Sequence, residues 1–286
     1  MGYARQTLPW LVVLACLTTA CTGASGTGAP GPSSAAEEQN RALVLRLYAE
    51  AFNQNKTGVV NELVGPDYVQ HDKSLPAGAD GQIKQFQDLK AKIPGAVATV
   101  KRTAADHDLV AVHWHASATP ADEATGEARI DLFRVGGGRL VEHWSIAQTV
   151  PATTASGNSL FSDVYRYPNG APTISEEQEE KNRTFAVEAY RKLSDGDAAV
   201  IDTSWDPRYY QHNPAAGNGT EPLKQFMQQQ GVTAPSSGVA SRTEFGNTLA
   251  DGDLVWVFSS DYVVADILRV VDGKIIEHWD VVADGR

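Results

Sequence analysis

Along this chain the spacing of apolar residues changes from helical to alternating twice, in the same order each time. Val44, Leu47, Tyr48, Ala51 and Phe52 recur at helical spacing, as do Phe185, Ala189, Tyr190 and Leu193. Each run follows a capping signature, Ser34-x-x-Glu37 or Ser175-x-x-Gln178. Shorter helical stretches follow at 59–64 and 198–205, and a further helix carries Lys84-Gln85-Phe86 or Lys224-Gln225-Phe226. The period then becomes two. Strands are predicted over 97–103, 109–118, 128–135 and 139–148, and again over 239–248, 254–264, 265–270 and 274–282. Gly136-Gly137-Gly138 and Asp272-Gly273 mark hairpin turns. No helix is predicted after the triple glycine, which makes it a poor phosphate loop. Helices first and an antiparallel meander after them predict an α+β domain, with helices on one face of a curved sheet.

The two passages also share residues. Tyr68-Val69-Gln70-His71, Asp131-Leu132-Phe133-Arg134-Val135 and Leu140-Val141-Glu142-His143-Trp144 match Tyr209-Tyr210-Gln211-His212, Asp266-Ile267-Leu268-Arg269-Val270 and Ile275-Ile276-Glu277-His278-Trp279. This is an internal duplication. It divides the chain into a first domain over 36–150, a linker over 151–174 and a second domain over 175–286, in line with a length of 286 residues. The linker is rich in Pro, Ser, Thr and Gly, yet holds Leu160, Phe161, Val164, Tyr165 and Tyr167, so part of it is expected to pack on a domain.

Residues 1–21 have one cation, Arg5, an apolar stretch and Thr18-Thr19-Ala20-Cys21, the pattern of an export signal. Its end resembles a bacterial lipoprotein signal with Cys21 as the lipidated residue, Cys16 being a rival site. Residues 22–35 form a flexible tether. An extracytoplasmic protein of the cell envelope, anchored to the membrane through an N-terminal lipid, is therefore expected. Cys16 and Cys21 are the two cysteines, so the folded part contains no disulfide. The net charge of −11 and the lack of a basic run argue against a nucleic-acid partner.

The Tyr-x-Gln-His, Asp-x-x-Arg-Val and Glu-His-Trp set resembles the SnoaL-like polyketide-cyclase branch of the nuclear transport factor two-like superfamily. The resemblance covers nearly all of each half. It implies two cone-shaped α+β barrels, each a curved antiparallel sheet wrapped around helices and enclosing an apolar cavity. It also implies that the two copies pair through their sheets as an intramolecular pseudo-dimer. The family includes cyclases, isomerases and non-catalytic binders, so fold alone selects no reaction.

Proton transfer beside a carbonyl needs a base in a water-poor pocket and a donor for the developing oxyanion. The resemblance places Asp280 with His278 and His212 as that constellation in the second copy, and Asp266 as the reserve base. Tyr68, His71, His113, His115, Asp131, His143 and Trp144 are cavity candidates in the first copy, and Tyr210 and Trp279 in the second. Strand alternation groups His113 with His115, His143 with Ser145 and His278 with Asp280, without telling which face is inside. Arg134 and Arg269 fall on the face opposite Asp131 and Asp266, where rim contacts are expected.

The copies are unequal. Ser145 stands where the second copy has Asp280. The second copy is ten residues shorter between Asp253 and Asp266, and Phe258-Ser259-Ser260 replaces His113-Trp114-His115. His-x-His on a strand is also zinc-ligand chemistry. The second copy discards that pair, and no metal or cofactor is expected. Unequal polar sets favour a cavity protein that binds a small hydrophobic molecule over the alternative, an acid–base enzyme of aldol-cyclase or isomerase type.

Overall fold

The computed structural model describes residues 34–231 and 243–285. The signal segment with Cys16 and Cys21, most of the tether and the start of the strand predicted at 239 lie outside the described residues. In the first half, helix α1 (Ala35–Arg46) runs into a π-helical turn (Leu47–Asn53), then α2 (Gly58–Leu63), strand β1 (Val64–Gln70), α3 (Gly78–Lys92), β2 (Val97–Asp106), β3 (Leu109–Ser117), β4 (Glu127–Gly136) and β5 (Arg139–Thr149). The second half repeats this with α4 (Glu176–Ser194), α5 (Val200–Ser204), β6 (Trp205–Gln211), α6 (Thr220–Gln229), β7 (Phe245–Asp251), β8 (Leu254–Ser259), β9 (Val264–Val271) and β10 (Lys274–Val282). Among the described residues no helix is long and apolar enough to cross a membrane.

Local chemistry sets the boundaries. Ser34 makes the full capping box with Glu37, and Ser175 accepts from the Gln178 amide. The Gln178 side chain turns instead to Asn182 at 2.9 Å, so the second box is only half made. Asp272 and Gly273 have φ of 50° and 70°. Such paired positive angles match the twist of the β9–β10 hairpin, and Gly tolerates them without a Cβ clash.

The sheet orders are β1-β5-β4-β3-β2 and β6-β10-β9-β8-β7. The meander is antiparallel as expected, but β1 and β6 add to it in parallel. The sheets are open, with β1 and β2 as the edges of one and β6 and β7 as the edges of the other, so they are curved shells and not closed barrels. Register shifts at Lys101 in β2, Val141 in β5 and Ile276 in β10 mark bulges, which bend the strands.

Each sheet is covered on both faces. The concave face of the first holds Val110, Val112, Trp114 and Phe133 against Val44, Tyr48, Phe52 and Phe86 from the helices. In the second, Val255, Val257 and Leu268 pack with Ala186, Ile201 and Tyr209. The outer faces share one cluster that joins Ile130, Leu132 and Trp144 to Trp256, Phe258, Ile267 and Trp279. Two reciprocal ion pairs border it, Arg41–Asp251 at 2.6 Å and Arg183–Asp106 at 2.8 Å. The same carboxylates accept the Ala105 and Ala250 amides from the opposite half, both at 2.9 Å.

The segment between the halves enters this cluster. Leu160 and Phe161 are buried, and the Phe161 ring lies 4.5 Å from that of His115. Replacing Phe161 by Ala should destabilise the chain by about 3–5 kcal/mol, the cost of a large unrefilled core cavity. Urea unfolding checks this, and a loss below about 1 kcal/mol would show that the segment is not part of the core.

Candidate functional site

The concave face of the second sheet gathers polar groups from four elements. Tyr190 of α4 donates to Asp266 Oδ1 at 2.6 Å. Asp266 of β9 also lies 2.9 Å from His278 Nε2, and His278 Nδ1 lies 2.8 Å from Gln211 Oε1. The Gln211 amide is not ambiguous in orientation. Its oxygen also accepts the backbone N–H groups of His212 and Asn213, each at 2.8 Å, while its nitrogen donates to the Tyr209 hydroxyl at 3.0 Å. Both ring nitrogens of His278 therefore face acceptors, which an imidazolium satisfies and a neutral ring does not. Burial opposes that charge, but the hydrogen bond to Asp266 and the two nearby carboxylates prevail, and His278 is held above the ordinary histidine value.

Asp280 completes the set. Burial pushes its carboxyl up to about 6, Asp266 adds to the rise, and His278 and the Asn213 side chain oppose it. Asn213 Nδ2 donates to Asp280 Oδ2 at 2.5 Å, while Oδ1 is buried without a hydrogen-bond partner. A buried carboxylate with one unengaged oxygen, titrating near neutrality, suits a group that takes and returns a proton.

The first copy has the same frame and a different outcome. Asp131 Oδ2 accepts from Tyr48 at 2.6 Å and from Trp114 Nε1 at 2.7 Å, and His143 Nε2 stands 3.4 Å from Oδ1. Burial alone would raise Asp131, but His143 and Arg129 hold it down to about 2. Tyr68 donates to Gln82 at 2.8 Å. Ser145 is taken up by Arg129 at 2.9 Å, and that guanidinium lies over the Trp114 ring. Matching the strands puts Ser259 and Val264 where Trp114 and Arg129 stand. The second copy thus removes two bulky groups beside the position where it gains a carboxylate. It gains rings elsewhere, Trp205 for Val64 and Phe245 for Val100.

Several sequence-assigned residues lie outside these sites. His113 and His115 are buried on the outer face of β3, against Phe161. His113 Nδ1 faces Arg102 at 2.6 Å, and burial with that cation pushes its pKa well down. His115 Nε2 bonds the Thr125 carbonyl at 2.7 Å. His71 stacks on Trp144 and reaches Glu142 at 3.1 Å. His212 stacks on Trp279 and reaches Glu277 at 3.0 Å. The physical reason is alternation: Gln70 and Gln211 point inward, so the histidines that follow them point outward, as do Trp144 and Trp279 after inward His143 and His278. Tyr210 likewise falls on the side away from Tyr209 and Gln211.

These outward residues form a ladder that both copies share. In the first, His71, Glu142, Arg134 and Asp108 are linked, with Arg134–Glu142 at 3.0 Å and Arg134–Asp108 at 2.6 Å. In the second, His212, Glu277, Arg269 and Asp253 are linked in the same order. Arg269 was expected at a rim. It is 1% exposed, because the segment between the halves covers it through Asp163, the Val164 and Tyr165 amides and the Tyr167 hydroxyl.

The sequence assignment omitted Tyr48, Tyr190, Tyr209, Gln70, Gln211, Asn213 and Trp114 from the sites. Parity counted from Tyr68 would have found Gln70, and the duplication then points to Tyr209 and Gln211. No local signal marks Asn213. Asp266, His278 and Asp280 bring ligand-type atoms within 4.8 Å of one another. Binding a cation there would require His278 to give up its charge and its Nε2–H bond to Asp266, while Nδ1–H could stay on Gln211. An open groove of about 530 Å³ runs along α4 between Arg183, Val187, Arg191 and Thr248, lined by none of these three residues.

A curved sheet packed on helices, with a Tyr-Asp-His-Gln relay on its concave face, defines a class before any comparison. Residues 42–155 match the family model for SnoaL-like polyketide cyclase. A loop-truncation variant of IdmH is similar at 31% identity over 38% of this chain and 92% of that one, with a TM-score of 0.32. Wild-type IdmH from Streptomyces antibioticus shows 29% identity over 38% and 92%, with a TM-score of 0.32. An NTF2-like protein from Mesorhizobium loti shows 20% over 41% and 96%, with a TM-score of 0.33. The comparison with curated proteins returns no match. Residues 42–155 belong to the SnoaL-like polyketide cyclase family, and the second half repeats their sheet order.

Proposed function

We propose that the second copy is an acid–base site that removes and returns a proton next to a carbonyl on a small hydrophobic molecule, as in a cyclase or isomerase. The single observation that carries this reading is Asp280, a buried carboxylate held near neutrality with Oδ1 unengaged beside an imidazolium. Asp280 takes the proton. His278 keeps the site from accumulating two uncompensated negative charges. The Tyr209 hydroxyl, which accepts from Gln211, retains its own proton for a developing enolate oxygen. The first copy, with Asp131 held down to about 2 by His143 and Arg129 and with Trp114 and Arg129 filling the corresponding space, serves as a structural partner.

This changes the balance struck from sequence, where binding without turnover ranked first. Binding remains the second reading, supported by the apolar setting of the site. The test uses β-keto esters with bulky apolar substituents as probes and follows exchange of their acidic C–H in deuterated water by NMR. Wild-type protein should accelerate exchange, and D280N should lower that acceleration about 10²–10⁴-fold while leaving probe binding intact. Equal exchange in wild type and D280N would sink the acid–base reading and leave the binding one. Export, lipidation at Cys21 and envelope location belong to the same proposal and rest on the sequence of residues 1–35.

A further inference from the structure

Asn213 occupies a turn that both copies build in the same way. Its Oδ1 accepts the Ala215 amide at 2.9 Å, and in the first copy Asp72 Oδ1 accepts the Ser74 amide at 2.9 Å. The turn itself is thus served by either residue, since both present the same oxygen two positions ahead of an N–H. What differs is the second terminal atom. Asn213 offers Nδ2, which reaches Asp280 Oδ2 at 2.5 Å, whereas Asp72 offers another carboxylate oxygen. The matched positions change together: the copy with Asp72 has Ser145, and the copy with Asn213 has Asp280. Two carboxylates at hydrogen-bond distance in a buried site would not both ionise.

We propose that Asn213 is a positioning residue of this site: its amide N–H pins Oδ2 of Asp280, so that Oδ1 is the oxygen presented to the substrate proton. The exchange of carboxylate for amide at this turn is what allows a carboxylate to stand at position 280. The inference rests on the acid–base reading above. The charged and titratable groups around Asp280 are His278 on β10, Asp266 on β9, Tyr190 on α4 and Tyr209 on β6. None of these four bonds the Asn213 side chain, which reaches Asp280 and the Ala215 amide.

The test is a carbon-detected NMR titration of aspartate carboxyls in the whole chain, with the Asp280 signal assigned by its loss in D280N. Asn213→Asp is the informative variant, because it keeps the turn-forming oxygen and removes only the donor. Wild-type Asp280 should titrate at about 6. In N213D the inflection should move up by at least about one pH unit, from loss of the donor and gain of a like charge. Asn213→Ala, which also gives up the turn bond, should move it up by less. An inflection unmoved or lowered in both variants overturns the role of Asn213 and leaves the acid–base reading standing. A wild-type inflection near the ordinary carboxylate value of about 4 overturns both.

Discussion

Replacing Asp280 by Asn should cost proton transfer and strengthen the fold at the same time. The carboxyl titrates at about 6 in the folded chain, against about 3.9 for an ordinary aspartate. Below the ordinary value both states carry the proton and the residue is neutral to stability. As pH rises from about 4 to 6 the unfolded chain ionises and the folded one does not, so folding is progressively penalised. Above 6 the penalty is complete, on the order of 2–3 kcal/mol. The carboxamide of the D280N variant carries no such charge and still presents an oxygen to Asn213. Thermal or urea unfolding of D280N at pH 7 should therefore show a gain of up to that size, which shrinks as pH falls and vanishes near pH 4. A D280N variant less stable than wild type at pH 7 would show that Asp280 is a structural ion, not a strained functional one. Stability given up at a reactive group is a common feature of functional sites.

Arg269→Ala should destabilise the chain by about 3–5 kcal/mol, whereas Arg134→Ala, the same motif position in the first copy, should cost about 0–1 kcal/mol. Arg269 is buried among Asp163, Asp253 and Glu277, and its guanidinium lies over the Trp279 ring. Deleting it leaves buried Asp253 and Glu277 without their arginine, leaves Asp163 to Arg102 alone, and loosens the segment that covers them. Arg134 pairs with Asp108 and Glu142 where its side chain is 30% exposed, so water replaces what is lost. Urea midpoints of the two variants measured side by side decide the matter. Equal losses would mean that burial by the 151–174 segment contributes nothing to the ladder.

The contrast between Arg134 and Arg269 shows why identical motifs carry different weight. Period-two alternation made the grouping of His278 with Asp280, and of His143 with Ser145, legible from sequence alone. The same parity contradicts placing His71, His212, Trp144 or Trp279 in the cavity, since each directly follows a residue that faces inward. The choice of face was not legible in β3, where Val110 and Val112 on one side and Ala111, His113 and His115 on the other are all buried. A strand covered on both faces loses the apolar-polar alternation that would tell inside from outside.

By itself, the sequence determined the duplication, the α+β order of elements, the hairpins and the inequality of the copies at Ser145 and Asp280, because propensity, periodicity and turn chemistry are local. Only the tertiary structure decided that the shared His-Glu-Arg-Asp set is an outward ladder and that the 151–174 segment buries one copy of it. It also decided that Asp131 is held down to about 2 while Asp280 is pushed up to about 6. Those outcomes depend on which residues distant in sequence stand against each carboxylate, and burial and neighbouring charge, not residue identity, set what a carboxylate can do.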